Sequence, residues 1–271
     1  MSTRMPVAFV PHGGGPVTHV DLGLPRAEVD ALAGYWRSIR TLPPAPPKAL
    51  LVISAHWECP APTVMTSPKP PMLYDYGGMP AEAYRLSWPA PGDPALAAQV
   101  RERLGRSGFP AAEDPVRGFD HGTFTPLMQA YPDADVPVVQ LSLVSGLDAT
   151  QHLAIGRALA PLRDEGIFIV GSGDTFHNMA EFRRPNVSEK IVQFDEWLTG
   201  VVTGDVAHRD ERLAGWTSAP YARFCHPREE HLLPLMVIAG AAGQDPGVVT
   251  WSGVFMGSRQ TGYHFAGRPA M

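Results

Sequence analysis

Short hydrophobic runs alternate along this chain with longer segments whose hydrophobic residues recur every three or four positions. The short runs are typical of strands buried on both faces of a sheet, and the periodic segments are typical of amphipathic helices. We predict strands over 6–10, 50–53, 136–144, 167–170 and 248–256. We predict helices over 25–40, 94–107, 150–163, 188–203 and within 224–242, and a short helix within 120–127.

The chain has 271 residues, which is enough for one large domain or two small ones. No internal repeat or linker divides it. In an open α/β sheet, ligands bind in the crevice beyond the strand ends. Residues that directly follow the predicted strands are therefore the first candidates for a functional site.

The segment 60–94 lacks periodicity and combines many prolines with Tyr74, Tyr76, Tyr84 and Trp88. A loop of this length inside a compact domain is usually functional. We interpret it as a lid over the strand ends. The alternative is an ordered structural loop that is packed by its own aromatic side chains.

Composition narrows the class of protein. A net charge of -5 and a pI near 6.0 argue against nucleic acid and membrane surfaces as partners. Cys59 and Cys225 form no CxxC pair, so neither a disulfide scaffold nor a thiolate zinc site is indicated. No segment resembles a signal peptide or a membrane span, and we expect a cytoplasmic protein. The oligomeric state is not indicated.

Histidines carry the strongest chemical signal. Among ten histidines, His12, His56 and His177 follow predicted strands, and His121 and His231 open segments predicted to be helical. Several imidazoles that converge at strand ends, without a cysteine motif, indicate a metal such as Fe(II) or Zn(II). Each one taken alone is also compatible with a core histidine bonded to backbone, and the recurrence of the pattern favours the metal.

The other histidines lack such a setting. We interpret four of them as surface or structural residues, and one of these, His152, as lying on a helix surface. The four are His19, His152, His208 and His264. The role of His226 stays undecided because it precedes His231 by only five positions.

Two hydrolytic alternatives compete with an oxidative metal site. A Ser-His-Asp hydrolase is disfavoured because no GxSxG motif is present and Gly171-Ser172-Gly173 lacks its spacing. A zinc hydrolase stays open. In it, the same histidines would hold a zinc-activated water and Glu230 would act as the base.

Five motifs, in this order and spacing, resemble those of the class III extradiol ring-cleavage dioxygenases, DOPA 4,5-dioxygenase-like branch: HGGGP, SAHW, DHGTFTPL, GSGDTFHN and EHLLPL. The resemblance implies one catalytic α/β domain over 1–271, built around a central mixed, mostly parallel sheet flanked by helices. It also implies a mononuclear non-haem metal at the strand ends. A non-enzymatic interaction member of the superfamily is a further alternative, which the retention of all five motif histidines disfavours.

The resemblance also implies roles for individual histidines. His12, His56 and His231 match metal ligands. His177 matches the acid/base catalyst of some relatives and an additional metal ligand in zinc-occupied ones, and His121 matches a residue that lines the substrate pocket. His177 and His121 are thus our candidates for proton transfer and for a hydrogen bond to oxygen.

The implied reaction opens the ring of a small catechol-type, DOPA-like aromatic diol beside its hydroxyl groups, with O2 as the second substrate. We expect Fe(II) in the active form and Zn(II) as an alternative occupant of the isolated protein. Neutral histidine ligands suit either ion and leave coordination positions open.

Two features depart from the family pattern. The first motif more often reads HGxPM, whereas 14–17 here is GGPV, which alters the pocket next to His12. The protocatechuate branch uses two histidines and a carboxylate, and here Glu229 and Glu230 precede His231. Because neighbours on a helix do not share a face, we expect either Glu230 or His231 to face the metal, and the resemblance favours His231.

Overall fold

A single mixed sheet forms the centre of the computed structural model, which describes residues 4–182 and 188–266. Within these residues the sheet has eight strands in the order β4-β3-β5-β2-β6-β1-β8-β7. They are β1 (Val7–Pro11), β2 (Ala49–Cys59), β3 (Thr63–Met65), β4 (Ala112–Asp114), β5 (Val138–Val144), β6 (Ile167–Gly173), β7 (Gly247–Phe255) and β8 (Ser258–Phe265). The four central strands are parallel, and β8 and β7 add an antiparallel edge. The predicted fold class is confirmed.

Helices cover both faces of this sheet. Those described are α1 (Arg26–Ile39), α2 (Pro94–Arg106), α3 (His121–Ala130), α4 (Ala149–Leu159), α5 (Glu189–Val202), α6 (Val206–Ala214), α7 (Ala222–Cys225) and α8 (Leu233–Ala242). Helices α1 and α3 pack in one hydrophobic core, and α2, α4, α5, α6 and α8 pack in the other.

Strand β1 shows why its hydrophobic run needs partners on both faces. Successive side chains of a strand point to opposite faces of the sheet. Val7 and Phe9 belong to the core that contains α8, whereas Ala8 and Val10 belong to the core that contains α1 and α3. A run without polar residues is thus the expected sequence of a central strand.

The central parallel strands end at the same edge of the sheet. Pro11 of β1 pairs with Gly173 of β6, and Ser54 of β2 pairs with Ser172 of β6. Residues at and just beyond these positions therefore lie side by side, as the placement of the histidines in the sequence predicted.

The predicted helix within 224–242 is two helices, α7 and α8, separated by a turn. Pro227 has no N–H to donate and disfavours helical backbone in the residue before it, whereas Pro234 lies at the first turn of α8, where proline is tolerated. The prediction that His231 opens a helical segment was wrong, because His231 lies in the turn before α8. The predicted helix over 150–163 likewise ends as α4 at Leu159, and a 3-10 helix follows.

Several elements lacked a clear sequence pattern. Strands β3, β4 and β8 and helix α6 were not predicted, and the segment 60–94 contains β3 and a 3-10 helix (Ala81–Arg85) besides irregular chain. In the part of the chain that the structure describes, no helix is both long and apolar enough to cross a membrane.

Candidate metal centre

Three elements bring histidines together at the carboxyl edge of the sheet. His12 directly follows β1, His56 lies near the end of β2, and His231 lies in the turn before α8. The backbone N–H of Asp174, which directly follows β6, donates to the carbonyl oxygen of His231 at 2.9 Å. This hydrogen bond holds the turn against the strand ends.

Gly173 allows that turn to lie so close to β6. A Cβ atom on Gly173 would lie 2.1 Å from the carbonyl oxygen of His231, far inside any real contact distance. Any side chain at this position would therefore displace His231 from the strand ends. The second glycine of the Gly171-Ser172-Gly173 segment is a structural requirement of the site.

The three rings face a common point. Nε2 of His12 lies 3.0 Å from Nε2 of His56, and the His231 ring centroid lies 5.2 Å and 5.0 Å from the centroids of these two rings. One ring nitrogen of each residue lies within 4.8 Å of those of the other two. Such a group of nitrogen donors fits a transition-metal ion.

An oxygen atom lies next to Nδ1 in each of these rings. The pairs are Ser172 Oγ at 3.1 Å from His12, Asp75 Oδ2 at 3.4 Å from His56, and Glu230 Oε1 at 3.0 Å from His231. Ligating histidines usually donate the second ring N–H to such an oxygen, which fixes the tautomer. With the proton on Nδ1, each Nε2 offers a lone pair to the centre of the group.

The Ser172 hydroxyl supports this tautomer of His12. It donates to the carbonyl oxygen of Gly122, so its lone pairs are left to accept from His12 Nδ1–H. The Nε2 lone pairs of His12 and His56 then face each other at 3.0 Å. Two lone pairs at this distance repel each other, and a cation between the rings removes the repulsion.

Burial keeps the three rings neutral, which is the form that binds metals. Burial lowers the pKa of His12 and of His231 well below the ordinary value. Burial, together with the neighbouring His121 ring, lowers the pKa of His56 to about 4. At neutral pH no proton has to leave these rings before a metal binds.

His121 begins α3 and is held by a carboxylate from the segment 60–94. Its backbone N–H and its Nδ1 both donate to Asp75 Oδ1, each at 2.9 Å. Burial raises the pKa of Asp75, but the hydrogen bonds that His121 donates, together with the charges of the His121 and His56 rings, outweigh burial and bring the pKa to about 2. Asp75 is thus an ionised carboxylate that contacts two histidines of the site.

His177 and Glu230 form a similar arrangement on the opposite side. The His177 ring stacks on His231 with a centroid distance of 3.4 Å and an angle of 11° between the planes. Its Nδ1 lies 3.4 Å from Glu230 Oε1, the oxygen that also accepts from His231. Burial disfavours the carboxylate, but hydrogen bonds from His177 and His231 hold the pKa of Glu230 well below its ordinary value.

A cavity of about 250 Å³ opens beside these rings. Its remaining walls are mainly glycine backbone and apolar side chains, together with one buried acid: Gly13, Gly14, Gly15, Tyr76, Met79, Asp174, Met179, Phe182 and Met256. The cavity therefore joins a polar floor of histidines to walls that suit a flat, largely apolar molecule.

Comparison with known proteins agrees with this geometry. Residues 6–266 match the family described as the catalytic LigB subunit of aromatic ring-opening dioxygenase. The chain belongs to this family. The resemblance to extradiol dioxygenases seen in the sequence motifs is thereby confirmed, and the protein is an aromatic ring-opening dioxygenase.

Individual relatives of this dioxygenase cover most of its length. The 4,5-DOPA dioxygenase extradiol of Escherichia coli (strain K12) is 36% identical over 95% of this chain and 93% of its own. That of Beta vulgaris is 43% identical over 73% of this chain and 75% of its own. The crystal structure of an uncharacterized Escherichia coli K12 protein, 33% identical, has a TM-score of 0.78 and covers 96% of this chain and 99% of that one.

All five histidines singled out in the sequence of this dioxygenase line the one cavity. The helical premise behind the expected choice between Glu230 and His231 was wrong, whereas the choice of His231 as the metal ligand stays a prediction. The segment is a turn, so the helical argument about neighbouring residues does not apply. Glu230 contacts Nδ1 of His231, and His231 is the residue that groups with His12 and His56.

The prediction that His152 lies on a helix surface was wrong. Its ring is buried, the backbone N–H of Val144 donates to its Nε2 at 3.1 Å, and its Nδ1 bonds the carbonyl oxygen of Asp148 at 2.7 Å. The ring joins the end of β5 to the start of α4. A polar residue that is satisfied by backbone in this way cannot be distinguished from a surface residue by periodicity.

His226, undecided from the sequence, has a structural setting. It is fully buried, Nε2 donates to the carbonyl oxygen of Thr175 at 3.0 Å, and Nδ1 lacks a partner among the described residues. Burial lowers its pKa to about 4. Protonation would leave a buried N–H without an acceptor, so the folded protein holds this ring neutral.

His226 should make the free energy of unfolding decrease as the pH falls. Its folded pKa lies below the unfolded value of about 6.5, so the unfolded state binds more protons and stability is lost as the pH falls from 6.5 towards 4. Between pH 7 and pH 5, proton uptake by this ring in the unfolded state lowers the free energy of unfolding by about 2 kcal/mol. Urea unfolding of metal-free His226→Gln should therefore show a pH dependence weaker than the wild type by this amount. Parallel profiles would contradict the assignment.

Four residues that contact the site were not singled out from the sequence. Asp75 lies in an aperiodic segment, and Ser172 and Asp174 lie in the GSGDTFHN motif, in which only His177 was given a role. Arg117 donates to the carbonyl oxygen of His56 at 3.1 Å and to Asp120 Oδ2 at 2.8 Å. Only the DHG motif around Asp120 pointed to this region, and it pointed to His121.

Proposed function

We propose that this protein is a non-haem Fe(II) extradiol dioxygenase that opens the ring of a catechol-type, DOPA-like aromatic diol. The observation that carries the proposal is the group of three neutral imidazoles whose Nδ1 atoms are each held by an oxygen, beside a cavity with apolar walls. Relatives named 4,5-DOPA dioxygenase extradiol support a diol of this kind.

His12, His56 and His231 would hold the metal. Ferrous iron would supply a redox-active Lewis acid that binds the diol oxygens and passes electrons from the ring to O2. Burial of His12 and His231 excludes competing water from their side of the site, and the oxygen atoms at Nδ1 keep Nε2 directed inward.

The two remaining histidines of the cavity would transfer protons and hydrogen-bond the substrate. His177 lines the cavity with Nδ1 turned to Glu230, so its Nε2 is the atom available to accept a proton from a diol hydroxyl. His121 donates from Nδ1 to Asp75, so Nε2 of its neutral ring is the atom available to accept a hydrogen bond from a diol hydroxyl. Tyr76 and Phe182 form walls against which an aromatic ring packs.

The zinc-hydrolase alternative is less well supported. It assigns Glu230 as the base that deprotonates water, but Glu230 Oε1 is shared by His231 and His177, and Arg228 Nη1 lies 3.3 Å from Oε2. A carboxylate engaged in this way is a poor proton acceptor. The non-enzymatic alternative conflicts with membership in a family of ring-opening enzymes.

Metal reconstitution under anaerobic conditions tests the proposal. Metal-free protein is loaded separately with Fe(II) and Zn(II), and oxygen uptake is followed with DOPA, other catechols and matched monophenols. We expect the Fe(II) form alone to consume one O2 per diol and to give a product that gains both oxygen atoms. Absence of uptake with every diol, or ester hydrolysis by the Zn(II) form, would overturn the assignment.

A further inference from the structure

Asp75 is the one residue of the segment 60–94 whose side-chain oxygens reach two of the site's histidines, among the contacts described. Oδ1 accepts two hydrogen bonds from His121, and Oδ2 lies 3.4 Å from His56 Nδ1. The Asp75 backbone faces solvent, whereas its side chain turns inward and is only 19% exposed. The carboxylate therefore connects an external segment to both a proposed metal ligand and a proposed catalytic residue.

The surrounding chain holds this carboxylate in place. Leu73 N–H donates to the carbonyl oxygen of Phe119, and Phe119 N–H donates to that of Pro71, both at 2.8 Å. These two bonds fix the segment to the residues that lead into α3. Because His121 begins α3, they also set the distance between Asp75 and His121.

Tyrosines on either side of Asp75 brace the turn that carries it. The Tyr74 hydroxyl donates to the carbonyl oxygen of Leu86 at 2.6 Å, and the Tyr76 hydroxyl donates to that of Ala83 at 2.7 Å. The Tyr76 ring also lies 5.8 Å from the His121 ring, measured between centroids. The turn is thus built to hold one side chain in a fixed position.

We propose that Asp75 is a positioning residue that acts on His56 and His121 together. One carboxylate oxygen accepts from Nδ1 of His121 and the other lies 3.4 Å from Nδ1 of His56, so Asp75 keeps both Nε2 atoms directed into the cavity. The segment 60–94 thereby becomes part of the metal centre. The inference rests on the proposed function for the identity of the reaction, and on geometry alone for the effect on metal binding.

Removal of Asp75 leaves the partners of the other two proposed ligands intact. Ser172 still fixes His12, and Glu230 still fixes His231. His56 loses the negatively charged oxygen beside its Nδ1, and the His121 backbone N–H and Nδ1 lose their shared acceptor. Loss of such an outer partner typically weakens metal affinity or activity by about 10- to 100-fold.

The amide variant separates the two contacts. In Asp75→Asn the side chain keeps one acceptor oxygen, which can serve His121, but presents an NH2 donor where Oδ2 faced His56. His56 Nδ1 can no longer donate there. Asp75→Asn should therefore lose metal affinity as Asp75→Ala does, while it keeps more of the turnover at saturating iron.

Titration of metal-free protein with Co(II) tests the inference, because its visible spectrum reports ligand geometry without any turnover. We expect Asp75→Ala and Asp75→Asn to bind Co(II) about 10- to 100-fold more weakly with an altered spectrum. Glu82→Gln, which removes an exposed acid from the same segment, is the matched control and should behave as the wild type. Steady-state kinetics at saturating Fe(II) then gives kcat and KM for the diol.

The outcomes separate this inference from the proposed function. Weaker Co(II) binding in the Asp75 variants of a protein that opens no diol would leave the positioning role standing and the proposed reaction wrong. Wild-type Co(II) affinity and spectrum in folded Asp75→Asn would overturn the positioning role, whatever the activity. If Asp75→Ala fails to fold, the nearly isosteric Asp75→Asn decides the matter.

Discussion

Replacement of His12 by alanine is expected to abolish specific metal binding and to leave the fold intact. His12 belongs to the three-histidine group, its Nε2 lies 3.0 Å from Nε2 of His56, and it is 1% exposed. Its loss removes a proposed ligand, which should weaken metal binding by more than the roughly 10- to 100-fold that loss of an outer partner costs. The backbone bond from His12 N–H to the Gly173 carbonyl oxygen does not need the side chain.

Metal content after dialysis against a weak chelator, with Fe(II) and Co(II) titrations, measures this loss. His56→Ala should behave in the same way, since it removes a second donor of the same group. His208→Ala is the matched control, because it deletes an exposed histidine that pairs with Asp205 outside the site. Full occupancy in both His12→Ala and His56→Ala would show that the metal binds elsewhere.

The strand ends were predictable because one physical rule connects sequence to position. A wholly apolar run needs cover on both faces, such strands run parallel in an α/β sheet, and parallel strands end at the same edge. His12, His56 and His177 come after such runs, so the hydrophobic pattern alone predicted that they converge. The identity of the reaction came only from the motifs, since many chemistries use the same donors.

Other parts of the site were not predictable, for reasons that can be named. Asp75 acts through a turn braced by tyrosine hydroxyls, and no local pattern records which residue of an aperiodic segment points inward. Glu230 and His231 were wrongly treated as helical neighbours because Pro227 and Pro234 divide the segment into turn and helix. Local periodicity does not reveal contacts made by turns.

Strand β8 was missed because it is buried although its residues are largely polar. Gln260 is 1% exposed, and its side-chain oxygen accepts from the backbone N–H of Thr175 at 2.9 Å and of Phe176 at 3.3 Å. Its amide nitrogen donates to the carbonyl oxygen of Phe176 at 2.8 Å. A polar residue in this strand thus fixes the segment that leads to His177, and hydrophobic patterns cannot detect it.

Substitution of His177 by glutamine is expected to lower turnover by about 10²- to 10⁴-fold, the usual worth of a positioned acid/base. The ring stacks on His231, Nδ1 faces Glu230, and the backbone N–H donates to the Cys225 carbonyl oxygen at 3.0 Å. Glutamine can still donate to Glu230, but it has no nitrogen that takes up a proton near neutral pH. Fe(II) affinity should stay close to that of the wild type.

If His177 is instead a fourth metal ligand, the same variant should give the opposite result. His177 groups with Glu230 and His231, whereas the three-histidine group is complete without it. A ligand role predicts weaker Fe(II) binding and turnover restored by excess iron, and a proton-transfer role predicts a deficit that iron does not change. Turnover of His177→Gln and of His121→Gln, each measured across an Fe(II) titration, therefore shows which histidine transfers the proton. If added iron restores full turnover, His121 becomes the better candidate, because its ring holds Asp75 through Nδ1 and keeps Nε2 free.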